Sequence, residues 1–277
     1  MNGINGTNGT NGMNGMNGMR TERSGTGNGG GAGDALRRRF SVLLLWTGRL
    51  ARQEAVILLL TVAAEAGLFL ASLRLHGEEG FENVLTGSHV ALAALAGYVL
   101  LCLWVFLICS GTGSRSDYTL DRLGLRRGEV FFLHWLSMTA GFLCFWGAQT
   151  GAALGLCFLW SRLGPETLQS PQTFLLAFYR DSFFHALLPL ADTVIYVRNL
   201  CFCAALGAAA ATAARKPSPG FYCIALLGPL WFRAELLGPV KPVFDICVYL
   251  IVGIISVIYA FWRKGETDND RPERETV

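Results

Sequence analysis

The sequence predicts an all-α integral membrane protein with about six transmembrane helices and both termini in the cytoplasm. Three observations carry that expectation. Of 277 residues, 52% are hydrophobic and only 16% charged, more apolar surface than a soluble domain of this size buries. The apolar residues are gathered into runs long enough to cross a hydrocarbon core of roughly 30 Å. Lysine and arginine crowd alternate ends of those runs, a pattern that an even number of crossings satisfies. The net charge of +3 is too small to argue for nucleic acid, and a bilayer accounts for where the positive residues fall.

Residues 1–34 form a low-complexity Asn/Gly tail, NGINGTNGTNGMNGMNGM and onward. It has no apolar periodicity, and its glycines carry a high ordering entropy, so disorder is expected. Gly25, Gly27 and Gly30 match G-x-G-x-x-G, but neither a strand precedes them nor a helix opens on them, so the match is accidental. Residues 35–54 read differently. Leu36, Phe40, Leu43 and Leu44 repeat at helical spacing among Arg37, Arg38, Arg39, Arg49 and Arg52, the arrangement of an amphipathic helix lying in the headgroup region.

A transmembrane domain is expected over 55–264. Ala55–Leu75, Val90–Ser110 and Val130–Trp160 are clear spans, and the third is longer than a crossing needs, so it must tilt or protrude. Val194–Ala214 is a fourth, interrupted by Arg198 and Asn199. In Phe221–Leu237 the residues Pro229, Arg233 and Glu235 leave a segment closer to a re-entrant or broken helix than to a full span. Val243–Trp262 is clear again, and 265–277 is a charged tail. Between the third and fourth spans, Ser182–Asp192 reads as an apolar helix along the outer surface, stopped at Pro189.

With the N-terminus inside, thirteen lysines and arginines at span ends face the cytoplasm and five face outward, and the first outer loop is acidic at Glu78, Glu79 and Glu82. The eight cysteines lie in apolar runs without metal-ligand spacing and read as small buried hydrophobes. Within the membrane, Gly147, Gly151 and Gly155 recur every fourth residue, a groove for close helix approach, either within the chain or across a dimer. Glu65 sits near the middle of the first span, where a carboxylate is costly unless neutral, paired or facing water. Arg198 is its obvious partner in charge, or else snorkels to the outer boundary.

The most distinctive polar stretch is Gly111–Glu129, GTGSRSDYTLDRLGLRRGE, set between two strongly apolar runs. Ser114 or Ser116 can cap a short helix with Asp117 at its positive end, and Gly124 can stop it. The helix would present Tyr118, Leu120 and Leu123 beside Asp121, Arg122, Arg126 and Arg127. No nucleotide-binding, zinc-hydrolase or serine-hydrolase motif occurs anywhere in the chain, so no catalytic residue, metal site or cofactor is expected. Any energy comes from another subunit.

This arrangement resembles the permease subunits of type 2 ATP-binding-cassette exporters. The architecture covers Arg37 to Lys264. Locally, SRSDYTLDRLGLRRGEVF (Ser114–Phe132) and FFHALLPLADTVIYVRNL (Phe183–Leu200) are similar to segments of small bacterial permease-like proteins. The resemblance implies a coupling helix at Ser116–Gly124, docking on a separate ATP-binding subunit, and a homo- or heterodimer of permease chains in the cell membrane. The poor fifth span and the Asn/Gly tail depart from the family pattern. The alternative is a non-transporting accessory or sensor protein that binds a partner through the same loop. Gene context separates the two, since an adjacent P-loop ATPase favours transport.

Overall fold

The computed structural model describes residues 32–76, 80–111, 127–165, 171–190, 192–215, 219–231 and 241–262, which are almost wholly helical. Contacts divide the chain into Met1–Arg37 and Arg38–Val277. Of the first unit only the opening of one helix is described, and all that follows concerns the second. The helices are α1 (Ala32–His76), α2 (Phe81–Ser88), α3 (Val90–Gly111), α4 (Arg127–Leu163), α5 (Pro171–Arg180), α6 (Ser182–Leu187), α7 (Thr193–Arg215), α8 (Pro219–Trp231) and α9 (Lys241–Trp262).

The expected interfacial helix at 35–54 is not a separate element. It is the first part of α1, which continues without a break into the first span. That span carries a polar stripe. Glu54, Leu58, Thr61, Glu65, Phe69 and Ser72 recur at helical spacing on the inward side, while Leu59, Leu60, Leu68 and Leu70 are exposed. In a bilayer the outward leucines meet acyl chains, and the polar groups are kept from lipid.

Near the centre stands α7, the most enclosed of the spans. The reason is its run of small residues. Ala205, Leu206, Ala208, Ala209, Ala210 and Ala211 are buried, and side chains this small let neighbouring backbones approach closely, the main source of helix association where lipid removes the hydrophobic drive. At Gly207 an added Cβ would fall 2.8 Å from the Thr139 backbone nitrogen of α4. The Trp135 indole donates to Ala204 O at 2.9 Å, and Thr212 Oγ1 donates to Ser256 O of α9 at 3.2 Å.

Helix directions bear on the crossing count. Phe202 meets Tyr249 at 5.0 Å, and four residues on at Gly253 an added Cβ would meet Ala205 at 3.4 Å. Contacts therefore advance together along both helices, so α7 and α9 are parallel. Two parallel helices in succession require the chain between them to run back along the bundle. Five helices are long and apolar enough to span. The return is begun by α8, whose 13 residues reach roughly 20 Å at 1.5 Å per residue. It runs antiparallel to α3, with Tyr222 against Phe106 at 5.3 Å and Gly228 against the Tyr98 ring. The remainder, 232–240, lies outside the described residues. Five helices of spanning length and the shorter α8 between α7 and α9 make about six membrane helices among the described residues.

The same directions place the end of α3, the start of α4 and the ends of α7 and α9 on one side, as the Phe131–Phe261 contact at 5.5 Å confirms for α4 and α9. These are the segment ends where arginines and lysines concentrate, and this side is called the basic side below.

The opposite side carries a cap. At 37 residues α4 is roughly 55 Å long, well beyond a hydrocarbon core of roughly 30 Å. Its last turns stand among α2, α5 and α6. Phe81 of α2 is the hub, with ring centroids 5.6 Å from Trp160, 5.6 Å from Phe174, 6.1 Å from Phe69 and 6.4 Å from Phe184. Ser72 Oγ donates to Val84 O at 2.8 Å, tying α1 to α2. The expected surface helix at Ser182–Asp192 is corrected here. Asp181 caps it by accepting from Phe184 N at 2.9 Å, and it ends at Leu187, because Leu188 precedes Pro189 and is pushed out of the helical region. Phe183, Phe184, Ala186 and Leu187 are buried rather than spread along the surface.

Glu82 and Arg180, both expected on the outer side, form an ion pair at 3.1 Å across the cap. Cysteines placed at 82 and 180 are expected to react with an impermeant maleimide from the same side of sealed vesicles; reaction from opposite sides would refute this topology. Breaking the pair is expected to lower stability by no more than about 1 kcal/mol, as for exposed pairs generally, measured by thermal unfolding of Glu82→Gln in detergent.

Candidate intramembrane polar site

Buried polar groups meet at two places inside the spans. The first lies between α7 and α9. Arg198 and Asn199 are both completely buried. Nε and Nη2 of Arg198 donate to Asn199 Oδ1 at 3.3 and 3.1 Å. Its Nη1 faces Asp245 Oδ2 at 4.0 Å, an ion pair just too long for a direct hydrogen bond. The Tyr249 phenol, one turn along α9 from Asp245, lies within electrostatic reach of both charges. Asn199 in turn donates from Nδ2 to Ala186 O at 2.9 Å, while the Trp146 indole donates to Leu187 O at 3.1 Å. A helix of six residues leaves its last carbonyls without helical partners. These two side chains take two of them, so the arginine cluster also pins the end of α6 into the membrane domain.

The expected alternatives for Arg198 are thereby corrected. It neither snorkels outward nor pairs with Glu65. Its countercharge is Asp245, which the sequence reading passed over because it sits one turn inside the last span, beside Lys241. The available signal was the spacing of that helix: Asp245 and Tyr249 are four apart, as Arg198 and Phe202 are.

The second place is the middle of α1. Glu65 is buried, and the buried Gln149 amide of α4 lies beside its carboxyl. Gln149 belongs to a stripe on α4 with Ser137, Gly141 and Phe145, spaced by four residues and all buried. Gly141 brings that stripe against Glu54, whose carboxyl carbon would lie 2.9 Å from an added Cβ. Three turns of α1 separate Glu54 from Glu65, roughly 16 Å. Thr61 between them donates to Ile57 O at 2.8 Å and is pressed against Gly97 of α3.

Other anticipated residues fall elsewhere. Gly147, Gly151 and Gly155 are exposed, and a Cβ added at any of them meets nothing within 4 Å. Their groove therefore packs against nothing within the described chain. Asp117, Tyr118, Leu120, Asp121, Arg122, Leu123 and Arg126 lie outside the described residues, and Arg127 begins α4. Of the cysteines, Cys102, Cys109 and Cys203 are buried as expected, but Cys144 and Cys247 are exposed on span surfaces, where lipid accepts a thiol as readily as a core does. Among the described residues no group of three or more His, Cys, Asp or Glu is arranged to hold a metal ion.

The arrangement is that of a bundle with α7 at its centre, Arg198 buried against Asp245, Glu65 buried beside Gln149, and a short connection of basic sequence between α3 and α4. Comparison with protein-family models, with curated proteins and with solved structures finds no match.

Proposed function

We propose that the chain is the membrane-spanning permease subunit of an ATP-driven exporter, coupled to a separate ATP-binding subunit through the loop 111–129. The observation that carries this reading is where that connection is anchored. It joins the basic-side ends of α3 and α4, and both of these helices pack on α7: Cys109 of α3 donates to Ala210 O at 3.5 Å, and α4 meets α7 at Thr139 and Trp135. A push delivered at the loop is thus received by the two helices that grip the central one. Packed helix interfaces of this kind shift between discrete arrangements rather than bending continuously.

Positive residues mark the cytoplasmic side, which puts the loop where a soluble ATPase is. Tyr118, Leu120 and Leu123 act as apolar anchors, with Asp121, Arg122 and Arg127 as a charged rim. The outward glycine face at Gly147, Gly151 and Gly155 suits a second permease chain, identical or not, and the host membrane is the cell membrane. An amphiphilic cargo fits a pathway between apolar spans better than an ion does.

The test replaces Tyr118 and Leu123 by serine. Copurification of the ATP-binding subunit and permease-stimulated hydrolysis are both expected to fall at least tenfold, the loss that about 1.4 kcal/mol of anchor burial produces. Wild-type levels of both would sink the proposal. Capture of an ATPase by the wild-type chain without stimulated hydrolysis or export would instead assign it the accessory role.

A further inference from the structure

Helix α5 has ten residues, too few to cross a bilayer, yet it is apolar on both sides. Its inward side serves the cap. Phe174 meets Phe81 at 5.6 Å, and the buried Phe178 lies 5.1 Å from the Phe184 ring. On the outward side Leu175, Leu176 and Tyr179 are each half exposed. At i, i+1 and i+4 they form one continuous strip of the helix surface. Arg180 closes the helix and is held by Glu82 of α2 at 3.1 Å.

The level of this strip follows from what α5 is seated on. Phe81 packs against Phe69 of α1, which ends at His76, and against Trp160 of α4, which ends at Leu163. At 1.5 Å per residue those rings stand roughly 10 and 5 Å inside the helix ends, so α5 is level with the last turns of the spans rather than above them. The apolar outer surface reaches that level too. Leu75 and Leu163, further out than Phe69 and Trp160, are exposed, as are Leu190 and Val194 at the entry to α7. Exposed arginines stand among these leucines at Arg74, Arg162 and Arg180. Leucine, tyrosine and arginine together suit a membrane–water boundary, where acyl chains take the leucines, the tyrosine ring lies at the headgroups and the guanidinium reaches phosphate. A second protein fits less well, because three half-exposed side chains offer far less than the roughly 800 Å² per partner of a stable protein interface.

We propose that α5 is an interfacial anchor whose outward strip is seated in the phospholipid leaflet on the cap side, with Leu175 and Leu176 among the acyl chains, Tyr179 at the headgroups and Arg180 within reach of phosphate. Through Phe174 and Phe178 the same helix grips the aromatic cluster that joins α1, α2, α4 and α6. The leaflet thereby holds that end of the bundle at a fixed depth. The surface role that the sequence pattern gives to Ser182–Asp192 passes to the helix before it. The inference goes beyond the exporter reading and holds whether or not an ATPase partner exists.

The experiment uses the full-length chain in phosphatidylcholine proteoliposomes, with the photoreactive residue p-benzoylphenylalanine in place of Leu175 or, in a second variant, Leu176. Both side chains are exposed, so the fold tolerates either replacement. A third variant carries it in place of Leu103, an exposed residue within the α3 span, as the reference for lipid contact. After irradiation, mass spectrometry is expected to find phospholipid adducts at 175 and 176 in yields within about threefold of that at 103, since an interfacial helix sinks its apolar face roughly 5–10 Å into the headgroup and acyl boundary. Lipid adducts at 103 but at neither 175 nor 176 would overturn the proposal. Chain-to-chain crosslinks from 175 or 176 in place of lipid adducts would overturn it too, and would assign the strip to a second copy of the chain.

Discussion

Asp245→Ala is expected to destabilise the folded protein by about 3–5 kcal/mol, because it leaves the Arg198 guanidinium buried without its countercharge. Burial is what sets the size. Arg198 is fully enclosed, so water cannot replace the lost carboxylate, and the protein must either open between α7 and α9 or carry an unpaired cation in hydrocarbon. The exposed Glu82–Arg180 pair, though shorter, is worth a fraction of this. The double variant R198M/D245L removes both charges and keeps the volume apolar. It is expected to recover most of the loss, since a buried ion pair and a well-packed apolar pair are often nearly equivalent. Some loss remains, because Arg198 also orients Asn199, which holds Ala186 O at the end of α6. Reversible unfolding in mixed micelles, run as a double-mutant cycle, checks both statements. An Asp245→Ala variant within about 1 kcal/mol of wild type, the range of exposed pairs, would show that the guanidinium has another route to solvation.

Gly207→Ala is expected to destabilise by about 1–3 kcal/mol, the usual penalty for forcing atoms into a filled interface. The added methyl would meet Thr139 N at 2.8 Å and Thr139 Cα at 3.0 Å. Those are backbone atoms of α4, which no rotamer change can move aside. Gly228→Ala belongs with it, since the methyl would run into the Tyr98 ring. Gly151→Ala is the control on a neighbouring helix. It faces open space, so the fold is expected to tolerate it and even to gain up to about 1 kcal/mol from the higher helix propensity of alanine. If the glycine face of α4 joins two permease chains, the same Gly151→Ala that leaves the protomer intact will weaken the dimer. Thermal unfolding and mass photometry in nanodiscs read the two effects separately. Equal loss of protomer stability in Gly207→Ala and Gly151→Ala would contradict this description of the α4–α7 interface.

How far the sequence could be read differs from element to element. The long apolar runs announce themselves, since any helix crossing lipid must be apolar over most of its length whatever it packs against. The weakness of 221–237 was equally visible, because Pro229 and Arg233 interrupt the run itself. The shorter pieces were not. Helix α2 has only eight residues, too few for a periodicity to declare itself. It exists because Phe81 is held among Phe69, Trp160, Phe174 and Phe184, residues scattered over more than a hundred positions. The inward stripe of α1 was legible in principle from the spacing of Glu54, Thr61, Glu65 and Ser72, yet only the position of Glu65 stands out in a linear reading.

By itself the sequence determined that this protein lives in a bilayer, roughly where it crosses, and that Glu65 and Arg198 are too polar to face lipid. Those conclusions rest on transfer energies, which belong to each residue wherever the chain goes. Only the tertiary structure decided which groups answer them: Asp245 for Arg198, Gln149 for Glu65, and open space for Gly147, Gly151 and Gly155. Partnership depends on helix direction and rotation. The parallel run of α7 beside α9 places residues 47 apart face to face, a relation set by how helices pack in three dimensions and not by any local spacing along the chain.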